Sequence, residues 1–126
     1  MKDLLTTGAA RSLERALDVA AYRQSLIAGN IANLDTPGYK AKDIRFAEEL
    51  REATEAPGAE GPAAPARPGA TLHEAETGRL RGDGNTVDID REMLNLSRTA
   101  GYYAAGVEML KKYIGILKAA ITEGRA

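Results

Sequence analysis

The sequence predicts an all-α fold in which two long terminal heptad helices pair as a coiled-coil hairpin, with a short irregular or partly extended middle region. Apolar residues near each end recur at alternating steps of three and four, the spacing of a helix that packs along a partner helix. The chain has one Phe, five Tyr and no Trp. A compact core of this size normally uses more large aromatic side chains, so the composition favours a long, thin helical pair.

The first helix is predicted from about residue 10 to residue 34. Pro37 disfavours helical backbone at Thr36, because its ring clashes with the residue before it. Pro37 and Gly38 are also the pair preferred at the centre of a type II turn, in which Gly takes a positive φ. The helix is therefore expected to stop just before this turn. Its heptad positions are Leu13, Leu17, Ala20, Gln24, Ile27, Ile31 and Leu34.

The middle region begins after the turn. Two structures fit the sequence just after the turn: a short helix over residues 43–51, or an extended arm over residues 39–46. The spacing of the apolar residues does not distinguish between them. Residues 53–71 contain four Pro among Ala and Gly. They have little to bury and are expected to form a flexible linker. Residues 81–85 have the composition of a turn, and a short extended stretch over residues 86–89 is expected to follow.

The second helix is predicted from about residue 90 to residue 122, with Asp88 or Asp90 as its N-cap. Its heptad positions are Ile89, Met93, Leu96, Ala100, Tyr103, Val107, Leu110, Ile114, Leu117 and Ile121. Beside them runs a second apolar stripe of Leu94, Tyr102, Ala105, Met109, Tyr113, Ile116 and Ala120. One partner helix covers only one side, so the second stripe is expected to contact neighbouring subunits. The alternative is a broad stripe in a monomeric three-helix bundle.

These elements define the expected organisation of the chain. Residues 1–36 form an N-terminal segment with the first helix, residues 37–85 a middle region that contains the linker, and residues 86–126 the C-terminal heptad helix. The two terminal segments together are expected to form one helical domain. The residues expected at the helix-pairing and assembly interface are Leu13, Leu17, Ile27, Ile31, Leu34, Leu96, Tyr103, Val107, Leu110, Ile114 and Leu117.

Composition and motifs argue against several functional classes. The net charge of -1 offers no basic field for nucleic acid, and the chain has no Cys for a disulfide or a thiolate metal site. Apolar segments are too short for direct membrane insertion, and residues 1–8 lack the apolar core of a cleaved signal peptide. His73 is the sole His, and the acidic residues between 83 and 90 lack the spacing of a calcium loop. We therefore expect no enzyme activity and no catalytic, cofactor or metal site.

One long string of residues carries a family resemblance. Residues 28–40, Ala-Gly-Asn-Ile-Ala-Asn-Leu-Asp-Thr-Pro-Gly-Tyr-Lys, are similar to the N-terminal signature of bacterial flagellar axial proteins, which include rod, hook and hook-associated subunits. Residues 39–46 and 83–93 resemble those of proximal rod subunits of the basal body. The resemblance covers roughly residues 10–50 and 80–122. The residues of the signature turn are Asn30, Asn33, Thr36, Pro37, Gly38 and Tyr39.

The resemblance implies a structural subunit that polymerises through its terminal helices into the tubular rod, which transmits torque from the membrane ring to the hook. It implies a place in the periplasmic rod of the flagellar basal body, reached through the flagellar type III export apparatus without a cleaved signal peptide. The implied partners are further copies of the chain, other rod subunits such as FlgC, the ring-rod junction protein FliE, and the MS ring or export gate. No cofactor is implied.

A second hypothesis comes from the helices alone. A soluble helical adaptor or chaperone would use the same apolar stripes to bind a partner helix with a fixed stoichiometry. Open-ended association distinguishes a rod subunit from such an adaptor.

Overall fold

The computed structural model describes residues 8–55, 73–74 and 80–124. This part of the chain contains helix α1 (Gly8–Ala32), strand β1 (Lys42–Asp43), helix α2 (Phe46–Glu55), strand β2 (His73–Glu74) and helix α3 (Ile89–Glu123). The two long helices pack on each other, and α2 packs on α1. The predicted all-α fold with two paired terminal helices is therefore confirmed.

Helices α1 and α3 run antiparallel. Near the end of α1, the Asn30 side chain reaches Glu92 in the first turn of α3. Near the start of α1, Leu17 lies against Gly106, in the middle of α3. The buried apolar residues of α1 are mostly small: Ala10, Ala16, Leu17, Ala20 and Ile27. Small side chains allow the two helix backbones to approach closely.

The buried strip of α3 differs from the predicted heptad register. The buried positions are Glu92, Thr99 and Gly106, each one residue before a predicted heptad position. Met93, the predicted heptad position next to Glu92, is 51% exposed. The close approach of α1 explains the shift, because a small residue fits under Leu17 where a larger one does not. Leu96, Leu110 and Leu117 remain half-buried beside this strip.

The middle region combines the two structures that fitted its sequence. Residues 39–45 are non-helical and include β1, which pairs antiparallel with β2 so that Lys42 lies opposite Glu74. Helix α2 follows, and Ser12 of α1 donates a hydrogen bond to the Thr54 carbonyl near the end of α2 (3.2 Å). Residues 53–55, assigned from the sequence to the linker, are helical. Residues 56–71 lie outside the described residues.

The start of α3 follows one of the two capping alternatives. Asp88 is the N-cap, and its side chain accepts hydrogen bonds from the backbone of Asp90 (3.0 Å) and Arg91 (3.4 Å). Asp90 and Glu92 lie in the first turn, where negative charge is favourable. Of the helices that the structure describes, none is both long and apolar enough to cross a membrane.

Three Gly of α3 provide a test of the close helix contact. A Cβ atom added at Gly106 would lie 2.7 Å from Leu17 Cδ2, whereas one added at Gly101 or Gly115 would meet nothing within 4 Å. Gly101→Ala and Gly115→Ala should each stabilise the helix by up to about 1 kcal/mol. Gly106→Ala should give less than this or destabilise, because Leu17 must move.

The measurement is urea unfolding followed by circular dichroism, with Gly101→Ala as the matched control. Equal stabilisation by Gly106→Ala and Gly101→Ala would contradict a tight contact between α1 and α3 at Leu17.

Candidate assembly interface

The turn after α1 is closed by backbone hydrogen bonds. The Tyr39 N–H donates to the Thr36 carbonyl (3.2 Å), and Gly38 between them has a φ of 73°. The predicted positive φ at Gly38 is therefore confirmed. The Asn33 side chain donates to the Gly29 carbonyl (2.8 Å), one of the last carbonyls of the helix. The same carbonyl accepts from the Asn33 backbone N–H (3.1 Å), so Asn33 holds the helix end through both its backbone and its side chain.

Asn85 holds the same helix end from a distant part of the chain. Its side chain is fully buried, and its Nδ2 lies within hydrogen-bond distance of the carbonyls of Asn33 (3.0 Å), Leu34 (3.0 Å) and Thr36 (2.8 Å). Its Oδ1 accepts from the Val87 N–H (2.7 Å). Both ends of one amide group are therefore used to fix the loop before α3 against the end of α1.

The loop that carries Asn85 lies along the turn. The Gly38 N–H donates to the Asp83 carbonyl (2.9 Å), and the Thr86 N–H donates to the Tyr39 carbonyl (3.0 Å). The Lys40 Nζ donates to the Gly84 carbonyl (2.9 Å). Gly84 has a φ of 80°, a backbone conformation that would be strained in a residue with a side chain. The turn chemistry expected over residues 81–85 thus serves to present Asn85.

Asn30 makes the second buried connection. It is 1% exposed, its Nδ2 donates to the Lys42 carbonyl (2.8 Å), and its Oδ1 accepts from the Lys42 N–H (2.9 Å). The same Nδ2 lies 3.2 Å from Oε2 of Glu92. One side chain therefore joins α1, β1 and α3. We call Asn30, Asn33, Asn85 and Glu92 the polar joint.

Glu92 is an unusual group to bury at a helix contact. It is 2% exposed, and burial raises the pKa of its carboxyl above the ordinary value. The hydrogen bond from Asn30 acts in the opposite direction, as do the charges of Arg91 and Arg23, whereas the negative charge of Asp43 adds to the rise in pKa. The polar joint therefore contains one carboxyl for which the charged form is costly.

A salt bridge stiffens the junction next to the polar joint. Arg23 donates from Nε to Asp43 Oδ1 (3.0 Å) and from Nη2 to Oδ2 (2.9 Å), and both side chains are 15% exposed. The Arg23 guanidinium lies 4.9 Å from the centre of the Phe46 ring. Phe46 in turn meets Tyr102 edge to face, with ring centres 5.4 Å apart. This chain of contacts connects α1, β1, α2 and α3.

Two of these features are not predicted by the sequence. The composition of residues 81–85 predicts a turn without a separate role for Asn85, and no pattern predicts the Arg23–Asp43 pair. One feature of the sequence does single out Asn85: it follows Gly84 in a Gly-Asp-Gly-Asn string. The two Gly and the Asp are sufficient for a turn, so the Asn can have a separate role. No local spacing indicates the salt bridge, because its partners are 20 residues apart.

The structure places the expected interface residues at different depths. Leu17 and Ile27 are buried, and Leu17 lies in the contact between α1 and α3, against Gly106. Tyr103 is 37% and Ile114 39% exposed, on one side of that contact. Half-buried are Leu13, Ile31, Leu34, Leu96, Val107, Leu110 and Leu117. In the signature turn, Asn30 is buried, Asn33 and Tyr39 are half-buried, and Thr36, Pro37 and Gly38 are exposed.

Much of the apolar surface of α3 is open. On one side lie Tyr102 (40% exposed), Met109 (62%) and Ile116 (68%) at seven-residue spacing, and on the other lie Met93 (51%) and Ile114 (39%). No described residue of α3 beyond Gly106 is buried. Exposed apolar surface on this scale marks a site of association. Within the described ranges, no group of three or more His, Asp or Glu is placed to hold a metal ion.

Asn85→Asp tests the polar joint. It replaces the Nδ2 donor with an oxygen that repels the three carbonyls it faces, so the free energy of unfolding should fall by about 2 kcal/mol or more. Urea unfolding measures the loss. Asn95→Asp makes the same chemical change on α3 outside the joint and should cost much less. Similar losses for both variants would show that Asn85 does not fix the end of α1.

The pH dependence of stability tests Glu92. Because its pKa is raised in the folded chain, its contribution to stability is fully present below the unfolded-state pKa and is lost as pH rises through the folded-state pKa. Glu92→Gln should remove this loss, so the variant should be more stable than the parent at neutral pH, with a smaller difference in acid.

Urea unfolding midpoints of both proteins at about pH 4 and about pH 7.5 give this comparison. An ordinary Glu is partly protonated at the lower pH and fully charged at the higher one. Glu52→Gln, on the exposed face of α2, is the control and should have little effect at either pH. A Glu92→Gln variant that is less stable than the parent at pH 7.5 would mean that the charged carboxylate is favourable in the joint.

Comparison with known proteins matches the segment that contains α1 and the signature turn. A family model described as "Flagella basal body rod protein" matches residues 11–40, which span most of α1 and the signature turn. The flagellar basal body rod protein FlgB of Aeromonas hydrophila is 37% identical over 114 residues, covering 82% of this chain and 86% of the relative.

Two further relatives extend the match along the chain. FlgB of Bacillus subtilis (strain 168) is 32% identical over 127 residues, covering 96% of this chain and 98% of the relative. FlgB of Escherichia coli (strain K12) is 37% identical over 120 residues, covering 84% and 87%. Identity at this level over nearly the whole length of both chains shows that the chain belongs to the FlgB family of flagellar basal body rod proteins.

Proposed function

We propose that this chain is a structural subunit of the flagellar basal-body rod and that it polymerises through its terminal helices. The observation that carries the mode of assembly is the open apolar surface of α3 on both sides of α1. A single subunit leaves Met109 and Ile116 more than half exposed. Neighbouring subunits that cover both sides would bury this surface and supply the free energy of assembly.

The arrangement of these surfaces favours an open polymer. A contact between two different surfaces of identical subunits repeats from one subunit to the next, and it forms a filament or tube unless the rotation closes a ring. The two open sides of α3 are different surfaces, since one carries Tyr102 and Met109 and the other carries Met93 and Ile114. An adaptor with a fixed stoichiometry has no need of both sides.

The polar joint suits a subunit that carries mechanical load. Hydrogen bonds from Asn30 and Asn85 tie the end of α1 to β1 and to the loop before α3, and the Arg23–Asp43 salt bridge lies beside them. Directional bonds of this kind resist sliding between helices, whereas apolar contacts alone are non-directional. We propose that the joint keeps the hairpin rigid as the rod transmits torque from the membrane ring to the hook.

The more specific partners and the location are proposed on the family relationship. We propose that the chain, as a member of the FlgB family, lies in the proximal rod, in the periplasm. Its proposed neighbours there are other rod subunits of the FlgC type, FliE, and the MS ring or export gate. It is proposed to reach that place through the flagellar export apparatus without a cleaved signal. The family is one of structural rod proteins, and we propose no catalytic role for this chain.

Leu110→Asp tests assembly through the terminal helices. Leu110 is half-buried on the side of α3 that faces α1, so a charge there should disrupt the helix pair or its contact with neighbours. In the bacterium that encodes the chain, we expect loss of motility and of rod incorporation, with export of the subunit retained. The readouts are swimming in soft agar, recovery of the subunit in purified basal bodies, and the amount exported.

The matched control is Ala119→Asp, an exposed position nine residues further along and therefore about 180° around the helix. It should be incorporated into basal bodies as the parent is. A motile strain with Leu110→Asp subunits in its basal bodies would refute the proposed role of this helix face.

A further inference from the structure

Two exposed charged faces lie on opposite sides of the subunit. The first is the acidic face of α2, formed by Glu48, Glu52 and Glu55, which are all exposed. The second is the lysine face of α3, formed by Lys111, Ile114 and Lys118, which are also exposed. Their charges are opposite, and neither face is covered by any residue that the structure describes.

The acidic face follows from the way α2 packs. Phe46, Leu50 and Ala53 are half-buried against the rest of the chain, and they are three or four residues apart on one side of the helix. Glu48, Glu52 and Glu55 recur at the same steps on the outer side. The helix contains four Glu and one Arg, so its outward surface is net negative. Glu48 makes an exposed salt bridge with Arg45, just before the helix (3.5 Å), and an exposed pair of this kind contributes at most about 1 kcal/mol and can be exchanged for another cation.

The lysine face combines charge with apolar surface. Ile114 lies three residues after Lys111 and four before Lys118, so the three side chains share one side of α3. Lys111 makes an exposed salt bridge with Glu108 within the same helix (2.9 Å). Exposed pairs of this kind contribute at most about 1 kcal/mol, so Lys111 can exchange this partner for another carboxylate.

The two faces cannot be brought together within one subunit. Phe46 at the start of α2 contacts Tyr102, so α2 lies on the Tyr102 side of α3. Lys111 is nine residues from Tyr102, which places it about 180° around the helix. The acidic face of one subunit is therefore available only to the lysine face of another.

The spacing of the charges also matches. Glu48 and Glu55 are seven residues apart on α2, and Lys111 and Lys118 are seven residues apart on α3. In both cases the rise along the helix is about 10 Å. Two helices packed side by side in this register can form both ion pairs at once, and Ile114 between the lysines is then covered.

We propose that the acidic face of α2 in one copy of this chain docks on the lysine face of α3 in a neighbouring copy. The inference rests on the proposed assembly into a rod and adds the pair of surfaces that meet. Burial of Ile114 and the adjoining apolar surface contributes affinity, while the charges select the face and its register. Because the two surfaces differ, the contact is head to tail and repeats from copy to copy, and it gives an open filament or tube when the rotation between copies does not close a ring.

Charge reversal with rescue tests the contact. Lys111→Glu with Lys118→Glu should abolish motility, and so should Glu48→Lys with Glu55→Lys, because each opposes like charges across the contact. The combination of all four substitutions restores opposite charges and should restore motility. As the matched control, Glu48→Lys and Glu55→Lys are combined instead with Arg98→Glu and Lys112→Glu. This protein has the same net charge, but the acidic substitutions lie on another side of α3, so it should remain non-motile.

The outcomes separate this inference from the proposed function. A strain that lacks the gene and still swims would overturn the role in the rod. If the parent gene restores motility but the fourfold variant does not, the rod function stands and the α2–α3 contact is wrong. Full motility of either double reversal, or rescue by the control, also overturns the contact. Circular dichroism of each purified variant shows whether the helices are retained.

A disulfide experiment provides a second, direct measurement. The chain has no Cys, so Glu52→Cys together with Ile114→Cys introduces one pair, which lies on opposite sides of a single subunit. In oxidised basal bodies this variant should give a ladder of linked subunits on a non-reducing gel. Glu52→Cys with Ala119→Cys should give none. The absence of linked subunits from assembled basal bodies of the first variant would exclude the proposed contact.

Discussion

The carbonyl groups at the end of α1 impose the constraint on which the rest of the structure depends. A helix end leaves its last carbonyls without partners inside the helix, and a buried end must find donors elsewhere. Here backbone N–H groups of the turn supply part of the donors. The side chain of Asn33 adds another, and those of Arg81 and Asn85 donate from a loop about 50 residues later in the chain. By satisfying those carbonyls, Asn85 also fixes where α3 begins. The end of one long helix is therefore tied to the loop that leads into the other.

The sequence predicted the parts of the fold that local physics determines. Pro37 and Gly38 end α1 through restrictions on backbone angles, and Asp88 caps α3 through its own side chain. The heptad rule found both long helices, but it placed the buried strip of α3 one residue too late. That rule follows the largest apolar residues, whereas the contact selects Thr99 and Gly106 for their small size. The partner helix decides which side of a broad apolar helix is buried. Because that partner is distant in sequence, the spacing within one helix does not predict the buried side.

The contacts that position the candidate site are also distant in sequence. Because Asn is common in turns, the sequence around Asn85 does not indicate its three carbonyl partners, which only the folded structure brings near. Arg23 and Asp43 are 20 residues apart, with a turn between them. A buried polar group must be satisfied, but the sequence does not say which group satisfies it. The expected interface residues therefore include no member of the polar joint, and only Asn30 and Asn33 of the joint are expected from the sequence, as residues of the signature turn.

The close packing of α1 and the open surface of α3 have one cause. Because most of the buried apolar residues of α1 are Ala, α1 contacts a narrow strip of α3 and leaves apolar residues exposed on both sides of it. Larger side chains on α1 would cover more of α3 and leave less for neighbouring subunits. The polar joint then has a second consequence. The joint ties α1 to α3, and the contacts of Phe46 with Arg23 and Tyr102 add α2, so the open faces keep a fixed angle to one another. A constant angle between two different contact surfaces gives each added subunit the same rotation and rise, and this is the geometric requirement for a regular tube.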